Sequence, residues 1–550
     1  MVFWRGEPAY TGSSSQEETY DVRKEERTMM KRLLAALLAG VTAVGLSACA
    51  SAPASAPAAE PVETAVMQDT AVYGAAKNPK YVFLFIGDGM SYPQFQAAAD
   101  YLGAMADPDY MQAEPSISQA DRKGAVLNGP KALNFMNFDV AGSAVTYDSC
   151  SFAPDSASTA TSIATGHKTY SGMINVDETG TKSYETIAEK LHDQKDWKVG
   201  VISSVNINHA TPAAFYAHQA SRNNYYEIGV EMVNSGFEYF AGGALLKPTG
   251  ANGDQTSVYD LAEEAGYKVV KTQAEAEQVT AADGKVLLID EHLADSDAMA
   301  YELDREDNQW ALADYVEKGI EVLNNNKGFF LMCEGGKIDW ACHANDAGST
   351  VADTVALADA VQVAMDFAKQ HPADTLILVT GDHETGGLTI GYAGTDYDTY
   401  LTNLTSQTIS YAKFDEEYVA KYKANKTPFE TAMKDVEKLF GLKMSGSADD
   451  KLVLTDYEIQ RLKTAYELAM TDYDSDQYTQ EQYVLYGTYN PFSVTVTHIL
   501  NNKSGVDFSS YSHTGLPVAV FAQGAGAENF GGYYDNTEIY TKLASMLKVK

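Results

Sequence analysis

Three apolar runs in this 550-residue chain each end in a carboxylate beside glycine. Leu376–Thr380 leads into Gly381-Asp382-His383-Glu384-Thr385-Gly386-Gly387, Tyr81–Ile86 into Gly87-Asp88-Gly89, and Phe329–Cys333 into Glu334-Gly335-Gly336. Adjacent Asp and His are ligands for a hard-to-borderline cation such as zinc, and the end of a buried strand fixes their geometry. Asp and Gly are also ordinary strand-end turn residues, so one such turn is weak evidence. Asp339 and His343 follow the third run at i, i+4, which puts both on one face of a helical turn and suits chelation of one ion. Recurrence in one chain points to a metal centre at the carboxyl edge of a sheet, where ligand sites of open α/β folds lie.

A nucleophile is suggested by Pro154-Asp155-Ser156-Ala157-Ser158-Thr159, a small-residue segment able to start a helix and present the Ser156 hydroxyl at its N-terminus. The helix dipole there favours a developing alkoxide and a bound anion. An Asp-Ser pair is equally an ordinary N-cap, and that reading stays open. No Gly-x-Ser-x-Gly surrounds Ser156, so activation falls to a metal that lowers the pKa of a coordinated hydroxyl. Cys150 lacks the Cys-x-Pro-x-Arg context of sulfatases.

In order along the chain, Gly87-Asp88-Gly89, Asp155-Ser156-Ala157, His209-Ala210-Thr211-Pro212-Ala213, Glu334 with Asp339 and His343, Gly381-Asp382-His383-Glu384 and Ser512-His513-Thr514-Gly515 resemble the bacterial alkaline phosphatases across residues 80–550. The resemblance implies hydrolysis of phosphate monoesters through a phosphoserine at Ser156, with Arg222 clamping the phosphate. It implies one zinc on Asp339, His343 and His513, a second on Asp88, Asp382 and His383, and a magnesium on Asp88, Thr211 and Glu334. Asp155 then caps the helix and orients Arg222. Independent chemistry agrees: two divalent ions about 4 Å apart suit an in-line displacement, Arg offers a planar fork to two phosphoryl oxygens, and an oxygen-rich third set suits magnesium. The alternatives are a related phosphodiesterase and a non-catalytic, lipid-anchored metal-binding protein, for which Ser156 and Arg222 would have no use.

Two positions depart from the best-known enterobacterial form: His209 stands for Asp and Trp340 for Lys. Losing the lysine removes a positive charge near the phosphate and predicts weak product binding. His209 either offers nitrogen to the third ion or is structural. The other histidines, His167, His192, His218, His292, His371 and His498, read as structural or surface groups.

The elements that must position these groups are strands alternating with helical patterns such as Thr350–Lys369 and Asn536–Leu547. With 45% hydrophobic residues, this predicts a large α/β domain over residues 79–550, its mainly parallel central sheet flanked by helices on both faces. An insertion over about residues 389–510, with helical patterns at Phe429–Phe440 and Tyr457–Met470, is expected to cap the site mouth or form a homodimer contact. A net charge of −35 argues against a nucleic-acid partner, and an anionic substrate then needs the local positive field of metals and Arg222.

Residues 1–28 read as an extension ahead of the true start, and residues 29–48 as a lipoprotein signal peptide ending in Leu46-Ser47-Ala48-Cys49. Lipidation of Cys49 would anchor an exported protein to the cell envelope, facing the periplasm or the outside, through an Ala/Pro/Ser-rich tether at residues 49–78. A simple secretory peptide is the alternative. Cys333 and Cys342 are either a disulfide or buried thiols.

Overall fold

The computed structural model describes residues 78–106, 128–447 and 450–550. The expected leader, Cys49 and all of the tether but residue 78 lie outside the described residues.

The strands are β1 (Tyr81–Gly87), β2 (Val140–Val145), β3 (Lys198–Asn206), β4 (Tyr239–Gly243), β5 (Tyr267–Val270), β6 (Lys285–Ile289) and β7 (Phe329–Gly335). They continue as β8 (Thr375–Gly381), β9 (Glu384–Thr385), β10 (Thr389–Ile390), β11 (Val506–Asp507), β12 (His513–Thr514), β13 (Val518–Gly524) and β14 (Gly532–Asp535). Ten form one sheet in the order β14-β2-β13-β8-β1-β7-β3-β4-β6-β5. Every neighbouring pair is parallel except the two made by β13, with β2 and β8.

A parallel strand covered on both faces reads as an unbroken apolar run, and its side chains alternate between two cores. In β1, Val82, Leu84 and Ile86 pack with Ala160, Ile163, Ile539 and Leu543, whereas Phe83 and Phe85 pack with Phe95, Leu357 and Val361. Those partners come from helices α1 (Tyr92–Ala106), α2 (Ser156–Thr165), α4 (Ala347–Gln370) and α8 (Thr537–Leu547), and the short α3 (Lys337–His343) precedes α4. The helix expected from Thr350 begins instead at Ala347, because Asp346 caps it, accepting from Ser349 N at 3.0 Å.

Residues 391–505 leave after β10 and return at β11, which pair with each other. Helices α5 (Phe429–Phe440), α6 (Asp456–Ala469) and α7 (Pro491–Ser504) lie in this stretch. Its Phe414, Phe440 and Phe492 join the apolar core of Phe83 and Phe85, so it extends that core. Gln407 Nε2 and Tyr411 N donate to the two oxygens of Asp346 at 2.7 and 3.0 Å, tying the stretch to the start of α4.

Candidate active site

β1, β7 and β8 stop level with one another, since Gly87 pairs with both Gly335 and Gly381. The end of β7 and the turns beyond β1 and β8 therefore converge and bring Glu334, Asp88, Asp382 and His383 into one buried cluster. Gly89, at φ +69°, packs so tightly that a Cβ would stand 2.8 Å from Thr385 Oγ1 and 3.0 Å from Asp339 Oδ1, so a side chain there would enter the ligand cluster.

Two donor sets adjoin. His383 Nε2 lies 3.2 Å from Asp88 Oδ1 and 3.3 Å from Asp382 Oδ2. Asp339 Oδ2 lies 3.4 Å from His343 Nε2, and its Oδ1 lies 3.6 Å from His513 Nε2. His383 stacks on His513 at 3.6 Å between centroids, so Asp339 and His513 are within reach of His383 as well as His343.

The histidine tautomers test whether a cation fits. His343 Nδ1 donates to the Tyr511 carbonyl at 2.6 Å and His513 Nδ1 to the Pro154 carbonyl at 2.5 Å. Each Nε2 is left with a lone pair, and these two atoms face each other at 3.1 Å. Burial and the neighbouring His383 hold the His513 imidazole well below its usual pKa, so a proton does not readily bridge the pair. The facing nitrogens and Asp339 suit a divalent cation such as zinc.

Beside them, Thr211 Oγ1 donates to Asp88 Oδ2 at 3.4 Å, and Ser203 donates to Glu334 Oε2. Glu334 Oε1 is buried without a hydrogen-bond partner among the described residues. Burial and the Asp88 carboxylate push the Glu334 carboxyl well above its usual range. This uncompensated, oxygen-only group fits a hard cation.

Ser156 opens α2, with Asp155 as N-cap accepting from Ser158 N at 3.0 Å. Its Oγ lies 3.1 Å from His383 Nε2 and 3.5 Å from Asp88 Oδ1. Asp155 also accepts from Arg222 Nη1 at 2.8 Å through its other oxygen, so one carboxylate both caps the helix and holds the guanidinium. Arg222 Nη2 points at His209 Nε2, 3.5 Å away. A guanidinium cannot accept, so that nitrogen accepts and the His209 proton sits on Nδ1. Burial and Arg222 lower His209 to about 4, leaving it neutral. With Nε2 facing Arg222 the ring can prop the clamp, and its buried Nδ1 has no hydrogen-bond partner among the described residues. Trp340 stands edge-on to it at 5.9 Å and 79°.

The family model for alkaline phosphatase matches residues 77–238 and 235–549. The chain belongs to the alkaline phosphatase family. Alkaline phosphatase 4 of Bacillus subtilis (strain 168) is 30% identical over 494 residues, covering 88% of this chain and 93% of that protein. The cold-active alkaline phosphatase of a psychrophilic Shewanella sp. superposes at a TM-score of 0.65 and 27% identity, over 85% of this chain and 99% of that one. A TAB5 alkaline phosphatase carrying a His-to-Asp mutation, with magnesium bound in its M3 site, gives a TM-score of 0.56 at 25% identity over 86% and 99% of the two chains. Family and fold make this chain a metal-dependent phosphatase.

This alkaline phosphatase also uses residues that sequence reasoning passed over. Thr385 Oγ1 donates to Asp339 Oδ1 at 2.5 Å and lies 3.2 Å from His383 Nδ1, bridging the two donor sets. Thr159 Oγ1 donates to Asp382 Oδ2 at 3.2 Å. Glu384 accepts from Gln94 Nε2 at 2.7 Å, from Gly387 N and Leu388 N at 3.1 Å, and from Thr514, locking the ligand turn to β12. The available signal was the Glu-Thr pair standing immediately after the Asp-His pair in the sequence. Cys333 and Cys342 are buried free thiols, and Cys150 is exposed and free. Outside the cluster, His498 is held by Asn345 Oδ1 at 3.0 Å and His167 stacks on Tyr184 at 4.0 Å.

Proposed function

We propose that this protein hydrolyses phosphate monoesters through a phosphoserine on Ser156, at a centre of two zinc ions and one magnesium. Asp339, His343 and His513 would hold one zinc, Asp88, Asp382 and His383 the other, and Asp88, Thr211 and Glu334 the magnesium. When bound, such ions supply positive charge that lowers the pKa of the serine hydroxyl and neutralises the leaving oxygen. The observation that carries the proposal is the Ser156 hydroxyl, at a helix N-terminus 3.1 Å from His383 Nε2, with Arg222 held beside it by Asp155.

Ser156 attacks phosphorus as the ester bond to the leaving oxygen breaks, and water then attacks phosphorus to release serine and inorganic phosphate. Arg222 binds two phosphoryl oxygens through its fork and the α2 N-terminus adds its dipole, both stronger as charge develops. The clustered carboxylates would repel an anion, so metal loading and substrate binding should be linked.

We further propose that the chain is exported and held at the cell envelope by lipid on Cys49. The catalytic reading is tested by rates on an aryl phosphate monoester and the matching diester at alkaline pH, with metal analysis of the same sample. Preferred monoester turnover, with zinc and magnesium present, is expected. Faster diester turnover, or bound zinc with no turnover of either, would favour the alternatives.

A further inference from the structure

Lys337 is fully buried, and its ammonium has no hydrogen-bond partner among the described residues. It lies 4.2 Å from the Tyr301 ring centroid and 4.5 Å from that of Trp340. Desolvating an ammonium is costly, and a methionine or leucine could fill such a space without that penalty. Two aromatic faces offset part of the cost, since the attraction of a cation to a ring strengthens away from water.

We infer that Lys337 is a positioning residue for the phosphate clamp, gripping the Trp340 ring so that Trp340 backs His209 and His209 backs Arg222. The contacts run without a break. Tyr411, from the helical stretch after β10, meets Tyr301 hydroxyl to hydroxyl at 3.3 Å. Tyr301 and Trp340 flank the ammonium, Trp340 stands edge-on to His209 at 5.9 Å, and His209 Nε2 faces Arg222 Nη2 at 3.5 Å. Asp155 holds the same guanidinium through Nη1 at 2.8 Å, so the fork is supported from two sides. The fork can receive two phosphoryl oxygens only in one plane, so loosening either support weakens phosphate binding more than the chemical step.

The inference rests on Arg222 as the clamp, which Arg222→Ala checks separately: unchanged phosphate inhibition in that variant would refute the clamp itself. The test compares full-length holoenzyme with Lys337→Met, Lys337→Gln and Lys337→Arg, each alone and with Trp340→Leu. Inorganic phosphate inhibition, kcat and KM are read at one fixed pH of 7 for all variants. The neutral variants should weaken phosphate about fivefold, the scale of one partly screened contact, and raise KM rather than lower kcat. Lys337→Arg should stay within about twofold of the parent, because it keeps the charge and stacks on rings. In the Trp340→Leu background, the change at 337 should have no further effect. Neutral variants with parental melting and metal content and an unchanged phosphate constant would overturn the inference, as would full additivity with Trp340→Leu. If neither neutral variant folds, Lys337→Arg decides: loss of phosphate binding at parental stability would overturn it.

Discussion

Ser156 has an ordinary hydroxyl, and the groups around it are carboxylates and imidazoles at the ends of three strands. Removing its oxygen should cut turnover more than about a thousandfold, the scale on which deleting a nucleophile acts in hydrolases. Zinc and magnesium content should stay parental, because the ligand cluster does not depend on Oγ. Substantial turnover by Ser156→Ala would contradict its role. Trp340→Lys brings an ammonium to a position beside the clamp. Compared with Trp340→Leu, which loses the ring without gaining a charge, it should tighten inhibition by inorganic phosphate several-fold, since a partly exposed charge near an anion is worth on the order of 1 kcal/mol. An equal or weaker inhibition constant would show that position 340 does not set product affinity. The donor groups that the fold brings together, Asp88, Asp339, His343, Asp382 and His383, were legible in the sequence because strand-end Asp and Asp-His turns and i, i+4 Asp/His spacing are local, whereas His513 and Thr211 were reached only through the family resemblance. Thr385, Ser203 and Lys337 were not legible, because their partners lie on other elements: Ser203 on β3 meets Glu334 on β7, and Lys337 finds Tyr301 across the fold.

Among the elements, the apolar strands and the helix periodicities could be read directly, and α5 spans the expected Phe429–Phe440. Helix starts shifted where a polar cap preceded the apolar pattern, as at Asp346, and at Thr455, which forms a capping box with Glu458. The order of strands in the sheet was not legible, because it depends on which runs pair far apart in sequence. The approach to Arg222 carries its own pH-sensitive joint. His218 Nε2 lies 3.5 Å from Glu189 and Nδ1 3.7 Å from Glu231, joining two helices. Burial alone disfavours the charged ring, but the hydrogen bonds it donates to Glu189 and Glu231 outweigh it and push His218 to about 10. Its folded pKa lies above the unfolded value of 6.5, so the stabilisation is complete below pH 6.5 and is lost as pH rises through 10. His218→Gln should therefore lower the melting temperature at pH 6, with the deficit shrinking towards pH 10. A deficit independent of pH would refute the charged pairing.

For the whole molecule, a net charge of −35 must coexist with an anionic substrate, so the proposed metal ions, together with Arg222, would have to supply the local positive field that the clustered carboxylates by themselves do not. One apolar core runs from the sheet into the helical stretch 391–505, so this region and the ligand turns should melt together. The proposed anchor predicts that Cys49→Ser releases the enzyme from the membrane fraction or blocks its processing. Undiminished membrane attachment would refute lipidation at Cys49. The central claim is a covalent phosphoserine on this chain. Its most direct measurement is rapid acid quenching of the metal-loaded enzyme during turnover of an aryl phosphate, followed by peptide mapping of the bound phosphate. The account predicts phosphate on Ser156, absent from Ser156→Ala. Phosphate trapped on any other residue would contradict it.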